Sequence, residues 1–353
     1  MKFERTVIDS HMHLVTLNNR EGVDMYTFFD GLQKEHNLKA LNLCACPITG
    51  DWGVENNILC ALYKLHNPTS YAYGSFFYPD KPINIPMPEG LDFKTQYDEL
   101  LDMGFDGIKM LETKTLEMND YNVWVDADYY EEYFAKAEAE GTHIIWHVAD
   151  PETFWDINRI PARHLAKGWF YGDGNYPSWE EIYKTVFNVL DRHPKLKVTF
   201  AHFFFYSEHP EWLEEMFEKY PNVGIDITPG AEMYNAFRDR NEFYRDFFIK
   251  YADRIMYGTD VTHRGSPVGP LRLDAVYSFL TTSDEVTVVD IKTKGIDLPD
   301  DALEKILHKN FERVAGEKTK KIDRYKLIKY IEKYNKYIKD ETVIEHLKEL
   351  GLM

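Results

Sequence analysis

TVIDSHMH, residues 6–13, is a β-branched and apolar run that ends in two histidines two positions apart. In a strand, residues i and i+2 point to the same face, so His11 and His13 can present two imidazoles to one ion. Seven further runs of the same kind follow: LKALNLCACPI (38–48), SYAYGSFFY (70–78), FDGIKML (105–111), THIIWHVA (142–149), LKVTFAHF (196–203), NVGIDIT (222–228) and RIMYGTD (254–260). Helical patterns separate them, over about 54–66, 93–103, 128–140, 179–192, 211–219, 240–251 and 301–314. Gly104 and Gly141 read as helix stops, and Ser178 with Glu181 as a capping box.

Strands that alternate with helices imply parallel strands joined by right-handed crossovers. Eight such units predict a closed (β/α)8 TIM barrel, which takes about 250 residues. The surplus is expected as one insertion after strand five, 151–177, another after strand eight, about 261–299, and a helical C-terminal tail. Residues 1–316 are thus read as the barrel domain and 317–353 as a helical extension packed on it. A doubly wound open sheet is the alternative fold, weakened by the lack of a GxGxxG or GxxxxGK[ST] phosphate loop.

Lys+Arg 41 against Asp+Glu 59 gives a net charge of −18, which argues against nucleic-acid and membrane partners, since both need a basic footprint. No apolar run approaches the ~18 residues of a membrane span, and the N-terminus has no apolar stretch of signal-peptide length. Three cysteines in 353 residues do not make a disulfide framework, and they predict a cytoplasmic location.

The chemistry gathers at the strand ends. Strand five ends at His147, strand six at His202 and strand eight at Asp260. In a barrel these positions meet His11 and His13 at the C-terminal mouth, where barrel enzymes keep their active sites. Three of these four imidazoles and the carboxylate suit Zn²⁺ or a similar divalent metal with one position open for water.

The ordered set IDSHMH, GIKML, IIWHV, KVTFAH and YGTD resembles the amidohydrolase superfamily, in particular its amidohydrolase-related branch of hydrolases and non-oxidative decarboxylases, over about residues 7–315. The resemblance implies that His11, His13, His147 and Asp260 bind the metal, and that His202 acts on the substrate or the water. In a binuclear site His202 and Lys109 would join as ligands, Lys109 as a carboxylated bridge. Otherwise Lys109 pairs with Glu112 or binds a substrate carboxylate. His202 is followed by Phe203, Phe204 and Phe205, where members of the superfamily often carry small residues, so the pocket is expected to be shaped differently.

The residue types fit a hydrolase in which Asp260 moves the proton and His202 polarises a scissile carbonyl of a small carboxylated molecule. Decarboxylation of an aromatic or unsaturated acid is the alternative on the same parts, and an inactive scaffold barrel the remote one. For the substrate, Trp155, with Arg159 and Arg163, is expected from the first insertion, and Arg264 from beyond Asp260. The insertion's aromatics could instead pack the lid or form a contact in a homo-oligomer.

Overall fold

The structure is a computed structural model that describes residues 1–46, 52–230, 232–264 and 268–353. Pro47 and Ile48, the end of the predicted run 38–48, lie outside the described residues. The strands are β1 (Ile8–His13), β2 (Ala40–Cys44), β3 (Tyr71–Gly74), β4 (Gly107–Thr113), β5 (His143–Val148), β6 (Lys197–Phe200), β7 (Val223–Asp226), β8 (Ile255–Met256), β9 (Val261–Thr262), β10 (Glu285–Val288) and β11 (Ile291–Lys294). The first nine form one sheet in the order β8-β7-β6-β5-β4-β3-β2-β1-β9, parallel throughout. β8 and β9 sit at opposite ends of that order, yet only residues 257–260 separate them in the chain. Ser10 N donates to Tyr257 O at 3.1 Å and Asp260 N to His11 O at 2.8 Å, so the segment 255–262 joins β7 on one side and β1 on the other. The sheet therefore closes, and the fold is a TIM barrel.

The eighth strand differs from the predicted run 254–260. It is interrupted at Asp260, whose φ of 54° is left-handed, and resumes as β9. The expected second insertion therefore begins inside the barrel wall, and it holds the helix Val268–Thr281 and the β10–β11 hairpin. The helix Met25–His36 was not among the expected patterns; its aromatic, Gly-containing stretch MYTFFDGLQKEH has weak propensity, and packing together with the Asp24 cap holds it. The helices Phe93–Met103, Asp128–Glu140 and Trp179–Arg192 match their predicted bounds. The Ser178–Glu181 capping box is made in both directions.

Ile8, Ala40, Cys44, Tyr71, Tyr73, Ile145 and Met256 fill the barrel interior, and Phe311 packs with them from the helix Asn310–Ala315. A larger apolar cluster lies between the sheet and the helices. His143 opens β5 at the end of the barrel away from the site, bonded to the Tyr73 hydroxyl at 2.7 Å and the Thr199 hydroxyl at 2.8 Å. Burial, helped by Lys197 and Arg313, lowers its ring from the ordinary 6.5 to about 3. The unfolded ring takes a proton that the folded ring refuses, so this contribution to stability is full above pH 6.5 and is lost as pH falls towards 3. His143→Gln is expected to flatten stability against pH in that window, measured by urea unfolding; an unchanged slope would place the acid sensitivity elsewhere.

The tail is tied to the base of the barrel. Lys320 N donates to Asp106 Oδ1 at 2.8 Å, and the buried Lys64 ammonium pairs with Asp106 and donates to Gly104 O. Gly104 has φ 112°, and a Cβ there would stand 2.2 Å from Lys321 O. Gly104→Ala is expected to cost roughly 2–5 kcal/mol, from the left-handed strain plus the displaced tail. A loss under about 0.5 kcal/mol, the range of an ordinary surface change, would mean that the tail does not press on this turn.

Candidate metal centre and active site

β1 delivers His11 and His13 to the C-terminal mouth, and the left-handed residue after β8 turns Asp260 towards them. His11 Nε2 lies 3.0 Å from His13 Nε2, and His13 Nε2 lies 3.2 Å from Asp260 Oδ1. Among the described residues these three form a cluster whose ligand atoms all lie within 4.8 Å of one another. His147, at the end of β5, and His202, just past β6, form a second pair, with His147 Nδ1 3.1 Å from His202 Nε2. The rings of His11 and His202 are 5.9 Å apart, which joins the two pairs into one patch.

The opposite nitrogen of each ring is held by a fixed acceptor. His11 Nδ1 donates to Asp226 Oδ2 at 2.8 Å, His13 Nδ1 to Cys44 O at 3.0 Å, His147 Nε2 to Ala149 O at 3.0 Å and His202 Nδ1 to Thr228 O at 3.2 Å. These partners assign the tautomers of His11, His147 and His202 and leave their facing nitrogens as lone pairs, while His13 Nδ1 is shared between Cys44 O and the Cys46 thiol 2.9 Å away. Acceptor facing acceptor at about 3 Å is repulsive in neutral rings, and a cation removes the repulsion. The donor set therefore fits a divalent metal, with Asp226 and the carbonyls as the outer partners that orient ligating imidazoles.

The electrostatics agree at His11 and His147 and differ at His13, where burial opposes the charge but Cys46, its thiol 2.9 Å from His13 Nδ1, and Asp260 raise the ring to about 10. Burial first, and then Lys109, lower the ring of His11 to about 3. Burial first, and then His202, lower His147. Burial opposes the charged forms of Asp226 and Asp260, but the imidazoles outweigh it and hold both carboxyls below the usual range, Asp226 at about 2. Lys109 is fully buried in β4, and among the described residues its amine has no hydrogen-bond partner. It makes no ion pair with Glu112, which instead accepts from the Tyr78 hydroxyl at 2.7 Å; three positions along a strand put the two residues on opposite faces.

The backbone around the patch is strained. Ala149 and Asp260 have φ of 55° and 54°, and the four residues His202, Phe203, Phe204 and Phe205 run from 52° to 58°. Each such non-glycine residue costs about 1–2 kcal/mol, and the packing of Phe203 on Phe248 and of Phe204 on Phe200 and Tyr183 works against that cost. The turn carries His202 back over the barrel mouth, where it faces His147.

A cavity of about 370 Å³ opens above the patch, with His147, His202 and Asp260 at its floor. Phe154, Trp169 and Phe205 supply apolar wall, and Lys114, Arg163 and Lys167 supply charge. Several expected substrate residues lie outside it. Trp155 turns away, its indole donating to Pro177 O at 3.0 Å, and Arg159 pairs with Glu152 and Glu208 on the surface. Arg264 is exposed beyond β9 and does not line the cavity. Lys109 has no exposed surface and does not line it either.

Asp226 was missed in the sequence. The only signal was a lone carboxylate in an apolar strand, at the same strand-end level as the other site residues. Arg272 was missed as well; its guanidinium donates to Asp260 O at 3.0 Å and lies 3.9 Å from Asp260 Oδ2. So was Asp9, which accepts from the Thr259 hydroxyl at 2.6 Å and staples β1 to the eighth strand.

A family model described as Amidohydrolase matches residues 81–315. No curated protein matches the chain by sequence. Among solved structures, 5-carboxyvanillate decarboxylase from Sphingomonas paucimobilis superposes with a TM-score of 0.55 at 15% identity, over 88% of this chain and 98% of that one. An uncharacterized TIM-barrel protein from Bordetella bronchiseptica gives 0.55 at 18%, over 88% and 100%. A dihydroxybenzoic acid decarboxylase from a Polaromonas species, with bound manganese and the inhibitor 2-nitroresorcinol, gives 0.51 at 13%, over 89% and 97%. At these identities the likeness is one of fold.

Proposed function

The chain belongs to the amidohydrolase family, and from that premise we propose that it is a metal-dependent hydrolase of a small carboxylated molecule, acting in the cytosol with Zn²⁺. Enzymes of this family generally depend on a divalent metal. The observation that carries the reading is the convergence of His11 Nε2, His13 Nε2 and Asp260 Oδ1 within 4.8 Å of one another, with the facing lone pairs of His147 Nδ1 and His202 Nε2 in the same patch. His11, His13, His147 and Asp260 would hold the ion. When bound, it supplies Lewis acidity, polarising an oxygen and lowering the pKa of a water from 15.7 towards ~7.

The chain's own residues do the rest. Asp260, a third of its carboxylate still open to the cavity, takes a proton and returns it to the leaving group. His202, whose Nδ1 donates to Thr228 O, offers Nε2 at the floor as an acceptor for a water or substrate proton, and polarises a scissile carbonyl only once that nitrogen is protonated. Phe154, Trp169 and Phe205 exclude water from the flat body of the ligand.

Non-oxidative decarboxylation is equally supported on these parts, and the decarboxylases among the solved barrels of the same fold favour testing it. In that case the bond to the carboxyl carbon breaks, CO₂ leaves, and a proton taken up from water passes by way of Asp260 to the ring or chain carbon. Detection of released CO₂ separates the two reactions.

Purified protein is expected to carry about one equivalent of a divalent transition metal per chain, and a chelator to abolish turnover. Full activity in washed, metal-free protein would overturn the reading. Two equivalents, with the mass of one CO₂ added at Lys109, would instead support a binuclear site with His202 as a further ligand.

A further inference from the structure

The charges that line the cavity run against the charge of the chain. The protein carries −18, yet three cations from two separate segments face this one space: Lys114 after β4, and Arg163 and Lys167 from the insertion after β5. Their existing partners are weak or partial. Lys114 is 3.0 Å from Glu117. Arg163 lies 3.8 Å from Asp290 at the tip of the β10–β11 hairpin, and that carboxylate is 91% exposed, so the pair is worth little and exchanges readily. The Lys167 ammonium rests 4.5 Å from the Trp169 ring, with no carboxylate within 4.0 Å among the described residues. Asp150 and Asp260 are the acids that line the same space.

We infer that Arg163 and Lys167 form a second anion subsite at the lid end of the cavity, so that the substrate is a flat dianion with one acid group at the floor and another under the lid. The inference rests on the metal-centre reading for its first acid group. A dication held by Asp260 leaves one positive charge for an acid at the floor. Lys114 is largely balanced by Glu117 and Asp150, so the two lid cations remain for a second acid. The cavity's size suits one small ring with two substituents. Val289, beside Asp290 on the hairpin, also lines the cavity, so an acid group that draws Arg163 from Asp290 does so where the two insertions meet across the mouth. The recognised end group is a carboxylate or a phosphate-type anion, since both suit an Arg fork beside a Lys.

The test is calorimetric titration of the metal-loaded full chain with benzoate, isophthalate and 3-phosphonobenzoate at low salt. At least one of the two dianions is expected to bind ~10-fold more tightly than benzoate, as two partly exposed cations allow, and whichever binds more tightly identifies the end group. The double variant Arg163→Gln/Lys167→Gln should erase that advantage and leave benzoate unchanged. Asp290→Asn should tighten the preferred dianion several-fold by freeing Arg163. Both dianions within twofold of benzoate, no binding of any probe at millimolar concentration, or a double variant that weakens benzoate equally, would overturn the subsite. If metal-free protein binds benzoate as well as loaded protein does, the metal reading fails on its own, while the dianion comparison still decides the subsite.

Discussion

Replacing Asp260 by Asn is expected to lower kcat by ~10²–10⁴-fold while most of the metal stays bound. The substitution keeps the side chain's shape and one oxygen near His13 Nε2, now 3.2 Å from Asp260 Oδ1. It removes the charge and the capacity to take a proton. His11 and His13 remain to hold the ion, with His147 beside them, and Arg272 still fixes the Asp260 carbonyl, so the left-handed turn is retained. The loss corresponds to roughly 3–5.5 kcal/mol of transition-state stabilisation. It should appear in kcat and kcat/KM alike, because the proton step exists only in the transition state. The assay begins with a panel of carboxylated aromatics, lactones and amides, and metal content is measured on the same samples. If the variant keeps its metal and loses less than about tenfold with chemistry rate-limiting, the proton role moves to His202 and Asp260 is a ligand only.

Much of this geometry was legible in the sequence, for identifiable reasons. The strand ends His11, His13, His147 and His202 could be aligned because a parallel barrel puts every strand's C-terminal end at one mouth. The helices Phe93–Met103 and Trp179–Arg192 could be bounded by local chemistry, Gly104 as a stop and the Ser178 box as a start, and the Asp92 cap is what the structure adds. What failed to show was whatever depends on partners far along the chain. Asp226 reads as an oddity in NVGIDIT until β7 is seated beside β6 and within reach of His11. The eighth strand read as ending at Asp260 because a left-handed break looks like a terminus, although pairing resumes two residues long against β1. In the insertion after β5 there is no periodicity to say which side chains turn inward. Trp155 and Arg159 face outward while their neighbours Phe154 and Arg163 line the cavity, a difference fixed by the Trp155–Pro177 bond and the Arg159–Glu208 pair.

Asp226→Asn is expected to weaken metal affinity by ~10–100-fold without touching a ligand. The carboxylate is fully buried and serves two clients at once. Oδ2 accepts from His11 Nδ1, while Oδ1 accepts from the His202 amide at 2.9 Å, the Thr228 amide at 3.1 Å and the Thr228 hydroxyl at 2.5 Å. An amide has one accepting end. If its oxygen stays with the three donors, its NH₂ group faces His11 Nδ1, and that nitrogen must become the acceptor. The proton then moves to His11 Nε2, the atom that faces His13, where it repels a cation instead of binding one. If the amide flips, the Thr228 amide loses its acceptor in a dry interior, at about 1–3 kcal/mol, the His202 amide keeps only the Thr228 hydroxyl at 3.2 Å, and the strained turn at His202 loosens. Both outcomes injure the centre, and they are distinguishable. The first lowers affinity in competition with a chromophoric chelator but leaves thermal unfolding near the wild-type value, and excess metal restores turnover. The second lowers the unfolding midpoint as well, and excess metal restores turnover only in part. A dissociation constant within about threefold of wild type, with unchanged stability, would mean that Asp226 does not set the tautomer of His11, and the outer half of the proposed centre would have to be redrawn around the Thr228 and Cys44 carbonyls.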